Sequence, residues 1–303
     1  MNTLLTGATG FVGKEVIKTG LNPRVVIRNN EDLDCKYSFV INELSKDTSW
    51  DGAFDDIVSV IHLAGLAHSS NFIQSEFNQV NVDGTLHLAR EAAKAGVKRF
   101  VFVSSIGVNG TNTNGVPFSE NQSVNPHNMY AKSKYEAEVG LKKISSDTGL
   151  EVVIVRPTLV YGPSAPGNFG SLTKLVRKSP ILPFSLVNNQ RDFIAVQNLA
   201  DLLVTCTTHP NAAGHTFLAS DSETVSIKEF SNMIAEGLGK KLFQFPFPII
   251  VLRLIGETIG KSVMMDQLLG DLQVDSSNLK EVLDWTPPFT MKQAMILLRN
   301  PSK

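Results

Sequence analysis

Only two of the 303 residues are cysteine, Cys35 and Cys206, and they share no spaced motif. That excludes a disulfide framework and is consistent with a reducing compartment. The six histidines show no ligand spacing, so no metal is expected. An excess of one charge is also missing: the formal net charge is −1. Such a chain has no field to draw in a polyanion, which sets nucleic acid aside as a partner. A few local cations could still hold a small anion. Long apolar runs are absent too. The most apolar stretch, Phe245-Pro246-Phe247-Pro248-Ile249-Ile250-Val251-Leu252 followed by Arg253, is too short to span a bilayer and reads as a buried or groove-lining helix. No basic segment followed by an apolar one opens the chain, so the expected location is the cytoplasm. There is no internal repeat and no low-complexity tract.

What is present is an ordinary globular composition, with 42% hydrophobic and 19% charged residues, in a chain long enough for one large core and part of another. Apolar runs alternate with longer amphipathic segments. Thr3-Leu4-Leu5, Arg24 to Arg28, Tyr37 to Ile41, Ile57 to Ala64, Arg99 to Ser104, Glu151 to Val155 and His215 to Leu218 read as strands. Phe11 to Thr19, Phe72 to Ala95, a segment from Pro126 as first helical residue to Gly149, and the segment after Gln197 read as helices. Continuous apolar strands separated by helices predict an α/β fold, a doubly wound parallel sheet covered on both faces. Residues 1–165, with about 191–221, should form the sheet domain. Residues 166–190 and 222–303 should form a smaller interleaved C-terminal lobe.

Gly7, Gly10 and Gly13 follow the first strand and open the first helix in Thr6-Gly7-Ala8-Thr9-Gly10-Phe11-Val12-Gly13. A dinucleotide-binding turn needs glycine there for unusual dihedrals, for backbone approach to a pyrophosphate and for close helix–sheet packing. The helix N-terminus then offers free N–H groups to the phosphates. A carboxylate commonly ends the second strand and grips the adenosine ribose of NAD. Arg28 stands there instead, before Asn29 and Asn30. An arginine can pair with a 2′-phosphate, which favours NADP. The other reading has Arg28 stacked on adenine, with Asn29 or Asn30 on the ribose.

Tyr130 and Lys134 lie four residues apart, on one face of a helix. A free phenol has a pKa near 10, too high for proton transfer at neutral pH. An adjacent ammonium lowers it. Ser104 and Ser105 end the fifth strand, where a parallel sheet presents functional groups, and Ser105 is preferred as the group that polarises a substrate oxygen. Asn81 could hold a water or a backbone group that relays protons to Lys134, or it could only pack the helix.

These motifs, with His62-Leu63-Ala64-Gly65, Asn81-Val82-Asp83-Gly84-Thr85, Arg156-Pro157, Val160-Tyr161-Gly162-Pro163 and Arg191-Asp192-Phe193-Ile194, resemble the extended short-chain dehydrogenase/reductase family, in its nucleotide-sugar epimerase and reductase branch. The resemblance implies a Rossmann-type fold, catalytic roles for Ser105, Tyr130 and Lys134 with Asn81 in support, and a homodimer through the helices after Gly65 and Pro126. It also implies cofactor contacts from Gly7, Thr9, Gly10, Phe11, Val12, Gly13, Arg28, Leu63, Ala64, Gly65, Lys134 and Pro157. Ile106 and Gly107 follow Ser105 where dehydratases carry an acidic pair, so dehydration is not expected. The tail Leu268 to Ser277, with Leu283-Asp284-Trp285-Thr286-Pro287-Pro288, is similar to a bacterial subgroup often described as UDP-glucose 4-epimerase. That subgroup includes enzymes acting at C4 of UDP-N-acetylquinovosamine in surface-polysaccharide (lipopolysaccharide) synthesis. The implied reaction is NAD(P)-dependent, reversible reduction of a UDP-4-keto-6-deoxy-N-acetylhexosamine. A UDP-hexose 4-epimerase with bound NAD is the alternative, and a non-catalytic NADP sensor or a reductase of a non-sugar carbonyl are further ones. Substrate contacts are expected from Ser105, Tyr130, Asn168 and Arg191, with Arg191 facing the diphosphate and Arg253 a weaker candidate. Gln267 stands where relatives carry an arginine, and His68 could lie near the sugar.

Overall fold

The computed structural model describes residues 2–29, 31, 33, 35, 37–67, 72–258, 260 and 262–299. Asn30 and His68 lie outside them. The elements run β1 (Thr3–Thr6), α1 (Phe11–Lys18), β2 (Arg24–Arg28), β3 (Ser38–Ile41), β4 (Ser59–His62) and α2 (Gln74–Phe77). A π-helical stretch, Asn78–Gly84, leads into α3 (Thr85–Lys94), and then come β5 (Arg99–Val103), a 3₁₀ turn Ile106–Val108, α4 (Met129–Thr148), β6 (Glu151–Pro157), β7 (Leu159–Tyr161) and α5 (Gly167–Lys178). The rest is β8 (Ile181–Leu182), β9 (Arg191–Ala195), α6 (Val196–Thr208), β10 (Thr216–Ala219), β11 (Thr224–Val225), α7 (Ile227–Gly237), β12 (Phe243–Gln244), α8 (Ile249–Thr258), α9 (Ser262–Leu269), α10 (Ser277–Leu283) and α11 (Met291–Ile296).

Seven strands form one parallel sheet in the order β10-β6-β5-β4-β1-β2-β3. The order reverses between β1 and β4, and that switch point opens the crevice in which such sheets bind ligands. Alternation along the strands sorts the core into two layers. Leu4, Val26, Val60, Phe100, Phe102 and Ile154 pack on one face with Leu88 of α3 and Leu141 of α4. Their neighbours Leu5, Val25, Ile61, Val101 and Val155 pack on the other with Val16 of α1 and Leu199 and Leu203 of α6. Both faces are covered, which is why these strands read as unbroken apolar runs.

A third core lies in the C-terminal part, where Phe193 and Phe230 stack at 3.8 Å with Tyr161, Phe169 and Ile234 around them. A small sheet, β11-β9-β7, carries it. Strand β9 joins the two regions: Phe193 and Ala195 belong to the third core and Ile194 to the second.

Two expectations are corrected. Pro126 is not the first residue of α4. Asn128 caps that helix, its Oδ1 accepting from the Ala131 N–H at 2.8 Å, and Met129 begins it. The side-chain cap leaves Pro126 in the approach to the helix. The apolar stretch before Arg253, read as a buried or groove-lining helix, is helical only from Ile249 and is not fully buried. Helix α8 begins at Ile249 and buries Leu252 and Gly256, while Ile250 is 74% exposed and Leu254 and Ile255 are about half exposed. The pair Phe245-Pro246 and Phe247-Pro248 keeps the residues before Ile249 out of the helix. Among the described residues no helix is long and apolar enough to cross a membrane.

Candidate active site

The turn after β1 is built as its glycines require. Gly7 sits at φ +72°, and a Cβ there would meet the Ala64 nitrogen at 2.7 Å. A Cβ on Gly13 would lie 2.2 Å from the Gly7 carbonyl oxygen. The turn is therefore pressed between Leu63-Ala64 and the first turn of α1, and only glycine fits. Gly10 precedes α1 without any side-chain cap, so the first N–H groups of the helix carry no side-chain acceptor. A turn of this shape could hold a pyrophosphate. Phe11 and Val12 of that first turn are half-buried, against the third and second cores respectively. Behind the turn, the Thr6 hydroxyl accepts from the Ala64 N–H at 3.2 Å and meets His62 Nδ1 at 2.6 Å, and His62 Nε2 meets the Thr85 hydroxyl at 2.8 Å. Burial pushes the imidazole down to about 3, with the Lys134 charge adding to it, so His62 is a neutral strut under the turn.

At the end of β2 the guanidinium of Arg28 is already engaged. It donates to Glu31 Oε1 at 2.7 Å, and the Arg28 N–H donates to Glu31 Oε2 at 3.0 Å. Thr9, in the glycine turn, donates to the same Oε1 at 3.2 Å. Glu31 went unnoticed in the sequence because it stands three residues beyond the strand end. The signal was the short turn that follows Arg28.

The C-terminal end of β5 separates the two serines. Ser104 is buried and donates to Glu138 Oε1 at 2.5 Å. Glu138 also binds Arg156 twice, at 2.9 and 2.5 Å, and Arg156 reaches Asn109 Oδ1 at 3.0 Å. Ser105, on the opposite side of the strand, is half-buried and accepts from the Gly107 N–H at 3.1 Å, capping the 3₁₀ turn. Pro157, the last residue of β6, is buried and pairs with Ala219 of β10.

Lys134 is buried on α4. Its ammonium donates to the Val103 carbonyl at 2.9 Å and lies 4.7 Å from the centre of the Phe102 ring and 6.0 Å from that of Tyr130. Asn81, in the π-helical stretch, accepts from the Leu66 N–H at 2.7 Å and donates to the Leu66 carbonyl and to the Ser133 hydroxyl, each at 3.0 Å. Ser133 donates in turn to the Tyr130 carbonyl at 2.8 Å. A Cβ on Gly65 would stand 2.9 Å from Asn81 Oδ1 and 3.5 Å from Lys134 Nζ. Gly65 thus leaves open the space that the ammonium faces. Asn81 thus holds the backbone of Leu66 at both its N–H and its carbonyl.

The expected depression of the phenol is not found. Burial pushes Tyr130 up to about 12 and Lys134 down to about 8, Glu138 opposing the latter. The ammonium is turned to a carbonyl and the hydroxyl is desolvated, so the charge does not offset the burial.

On the far side, Arg191 is buried in β9 and donates to the Gly270 carbonyl at 2.8 Å. Burial lowers it to about 10, and no carboxylate lies within 4.0 Å of it among the described residues. Asp192 is committed elsewhere, to the Thr224 hydroxyl at 2.5 Å and the Val274 N–H at 2.7 Å. Asn168, in the first turn of α5, donates to Gln267 Oε1 at 3.3 Å. Arg253 faces Asp266 at 3.9 Å on the surface. Sequence reading also missed the buried set of Tyr161, Asn198 and the Ala195 N–H around Asp221, the Tyr161 hydroxyl at 2.7 Å. Four scattered positions carry no local pattern that announces such a cluster.

Residues 3–219 match the NAD dependent epimerase/dehydratase family. A UDP-glucose 4-epimerase of Vibrio cholerae is 40% identical over 301 residues, covering 96% of this chain and 92% of the relative. Among solved structures, UDP-N-acetylglucosamine 4-epimerase from Bacillus cereus superposes with a TM-score of 0.79 at 20% identity, over 99% of this chain and 100% of that one. UDP-glucose 4-epimerase from Thermotoga maritima, solved with UDP-glucose, gives 0.77 at 20% identity, over 99% and 97%. At that identity the two structures speak for the fold alone.

Proposed function

Since the chain belongs to the NAD dependent epimerase/dehydratase family, and so is an NAD(P)-dependent enzyme of the short-chain dehydrogenase/reductase type, we propose that it works at C4 of a UDP-sugar. The preferred reaction is reversible reduction of a UDP-4-keto-6-deoxy-N-acetylhexosamine. One observation carries the C4 reading: the Lys134 ammonium and Asn81 converge on the space above Gly65, at the sheet end beside Ser105 and the glycine turn. The cradle fits a dinucleotide, with Gly7, Thr9, Gly10, Phe11, Val12 and Gly13 at the phosphates, and Leu63, Ala64, Gly65, Lys134 and Pro157 along its nicotinamide half. A nicotinamide bound there would supply or take up the hydride.

The chain's own groups manage the oxygen and its proton. Tyr130 gives its phenolic proton to the C4 oxygen as negative charge develops there. Ser105 donates a hydrogen bond to the same oxygen. Lys134 places a positive charge 6.0 Å from the centre of the Tyr130 ring, which opposes in part the negative charge left on the phenol oxygen. Asn81 positions Leu66 and, through Ser133, the backbone of Tyr130. Arg191 is the cation for the diphosphate: its charge is buried, and Asp271 and Asp192 act on it only from beyond 4.0 Å. Asn168 and Gln267 border the sugar side. A homodimer through α3 and α4 belongs to the same reading.

A second reading, 4-epimerisation with NAD retained, is favoured by the Vibrio cholerae relative. The two differ in cofactor balance. A panel of UDP-sugars and their 4-keto derivatives, each with NAD(H) and NADP(H) and with products read by NMR, tests both. Stoichiometric consumption of reduced cofactor supports the reductase. Interconversion of C4 epimers with no net cofactor change supports the epimerase. Failure of every UDP-sugar would remove the C4 reading.

The pH profile is a further expectation. The ammonium of Lys134 is lost as pH rises through about 8, so kcat/KM should fall above that value. Lys134→Arg keeps the charge and should move the alkaline limb upward. A profile flat to about pH 10 would show that the ammonium is not required.

A further inference from the structure

We propose that the surface built by α5, the paired strands β8 and β12, and α8 docks on the anionic face of a lipid bilayer, lying on the membrane without crossing it. The proposal does not depend on the reaction assigned to the cleft.

The first observation is apolar. Helix α8 buries Leu252 and Gly256, with Leu252 in the third core. Ile250 and Leu254 are nevertheless more than half exposed, and Val251 and Ile255 more than a third. At about 100° per residue these four share one face, turned away from Leu252. The helix is thus apolar on both sides, and only one side has a partner within the described residues. Phe243 and Ile181 are register partners in the two-stranded sheet that leads into α8, and they are 64% and 49% exposed. Exposed apolar side chains gathered in this way mark an interaction surface.

Charge names the occupant. From 167 to 190, and again from 237 to 256, the chain holds no aspartate or glutamate. The same two stretches carry Lys174, Arg177, Lys178, Lys240, Lys241 and Arg253, all exposed, in a chain whose net charge is −1. Lys240 donates to the Arg177 carbonyl, so cations from both stretches meet where α5 ends and the approach to β12 begins. The carboxylates at the margins are Glu236, paired with Lys292 at 3.0 Å, Asp266, facing Arg253 at 3.9 Å, and Glu257 near the end of α8. A second copy of the chain, docked by the same face, would bring these cations against themselves. Anionic headgroups neutralise them, while the boundary of the acyl layer takes up the apolar side chains.

The test is cosedimentation of the full chain with vesicles of phosphatidylcholine mixed with phosphatidylglycerol, and with vesicles of phosphatidylcholine alone. The unaltered protein should sediment with the mixed vesicles, not with phosphatidylcholine alone, and should be released near 1 M salt, where the screening length is about 3 Å. Lys174→Gln, Lys178→Gln and Lys241→Gln together should lower the partition coefficient by roughly a hundredfold, about fivefold for each charge. Ile250→Ser with Leu254→Ser should lower it by a similar factor, roughly a hundredfold. All five positions are exposed, so the unfolding midpoints should hardly move. The lysine variant alone decides the matter if the serine variant does not fold. Absence of sedimentation with the mixed vesicles overturns the proposal, as does equal binding to phosphatidylcholine alone or undiminished binding by the lysine variant. A serine variant that changes oligomeric state, from a protein that ignores vesicles, overturns it in favour of a contact between copies.

Discussion

Tyr130→Phe should lower kcat by roughly 10²–10⁴-fold, the usual contribution of a positioned general acid. The ring itself should stay in place. It packs against Phe77 with centroids 6.4 Å apart, and that contact needs no hydroxyl. Dinucleotide affinity and thermal stability should therefore be nearly unchanged, and the loss should appear in kcat more than in KM. The burial that raises the phenol to about 12 sharpens the expectation. Such a group is fully protonated at neutral pH, ready to donate during reduction. In the oxidative direction it must first lose that proton, so the oxidation rate should climb with pH until Lys134 discharges. A variant whose kcat stays within tenfold of the unaltered enzyme would mean that another group or water delivers the proton.

The second large effect concerns stability. Glu138 and Arg156 form an ion pair with side chains only 1% and 3% exposed. Glu138→Ala would strand the guanidinium with Asn109 as its remaining side-chain acceptor and would leave Ser104 without its partner. Breaking such a pair costs about 3–5 kcal/mol, against a total stability of about 5–15 kcal/mol. The drop should be visible as a lower midpoint of denaturant unfolding with an unchanged slope. Replacing both members, Glu138→Leu with Arg156→Met, should recover most of it, because no buried charge is then left alone. A single variant that loses less than about 1 kcal/mol would show that water reaches the guanidinium. Glu138 lies one turn beyond Lys134 and favours its protonated form. Glu138 variants that remain folded should therefore shift the alkaline limb of the activity profile to lower pH.

Much of this molecule is legible in its sequence because its main sheet is simple. Strands buried on both faces must be apolar throughout, and glycine is forced wherever backbone meets backbone. Those two rules reveal β1, β2, β4, β5, β6 and the turn at Gly7. Ser104 and Ser105 stand out together at the end of β5, but their separate partners, Glu138 for one and the Gly107 N–H for the other, appear only in the fold. The remainder depends on distances that a linear reading lacks. Two start signals, Pro126 and Asn128, lie within three residues, and only the Ala131 hydrogen bond decides between them. The small sheet of β7, β9 and β11 uses strands of two to five residues, too short to show a period. Glu31 meets Arg28 and Thr9 across a turn rather than from a strand end. The protonation of Tyr130 is set by where an ammonium points and by what covers a hydroxyl, and neither is written in the spacing of four.

The widened helix at Asn78–Gly84 has a consequence for chain-length change. A π turn accommodates one more residue than an α turn. Asn81, which clasps Leu66, lies inside it, and Thr85, which meets the buried imidazole, lies just beyond it. Deleting a single residue between them would let the segment rewind as plain α-helix, and the π turn's extra residue would take up the loss with everything downstream close to its present orientation. Both anchors could then be kept. One more codon has no such slack: an insertion here should turn everything downstream by about 100° and part Thr85 from the buried imidazole in a single step.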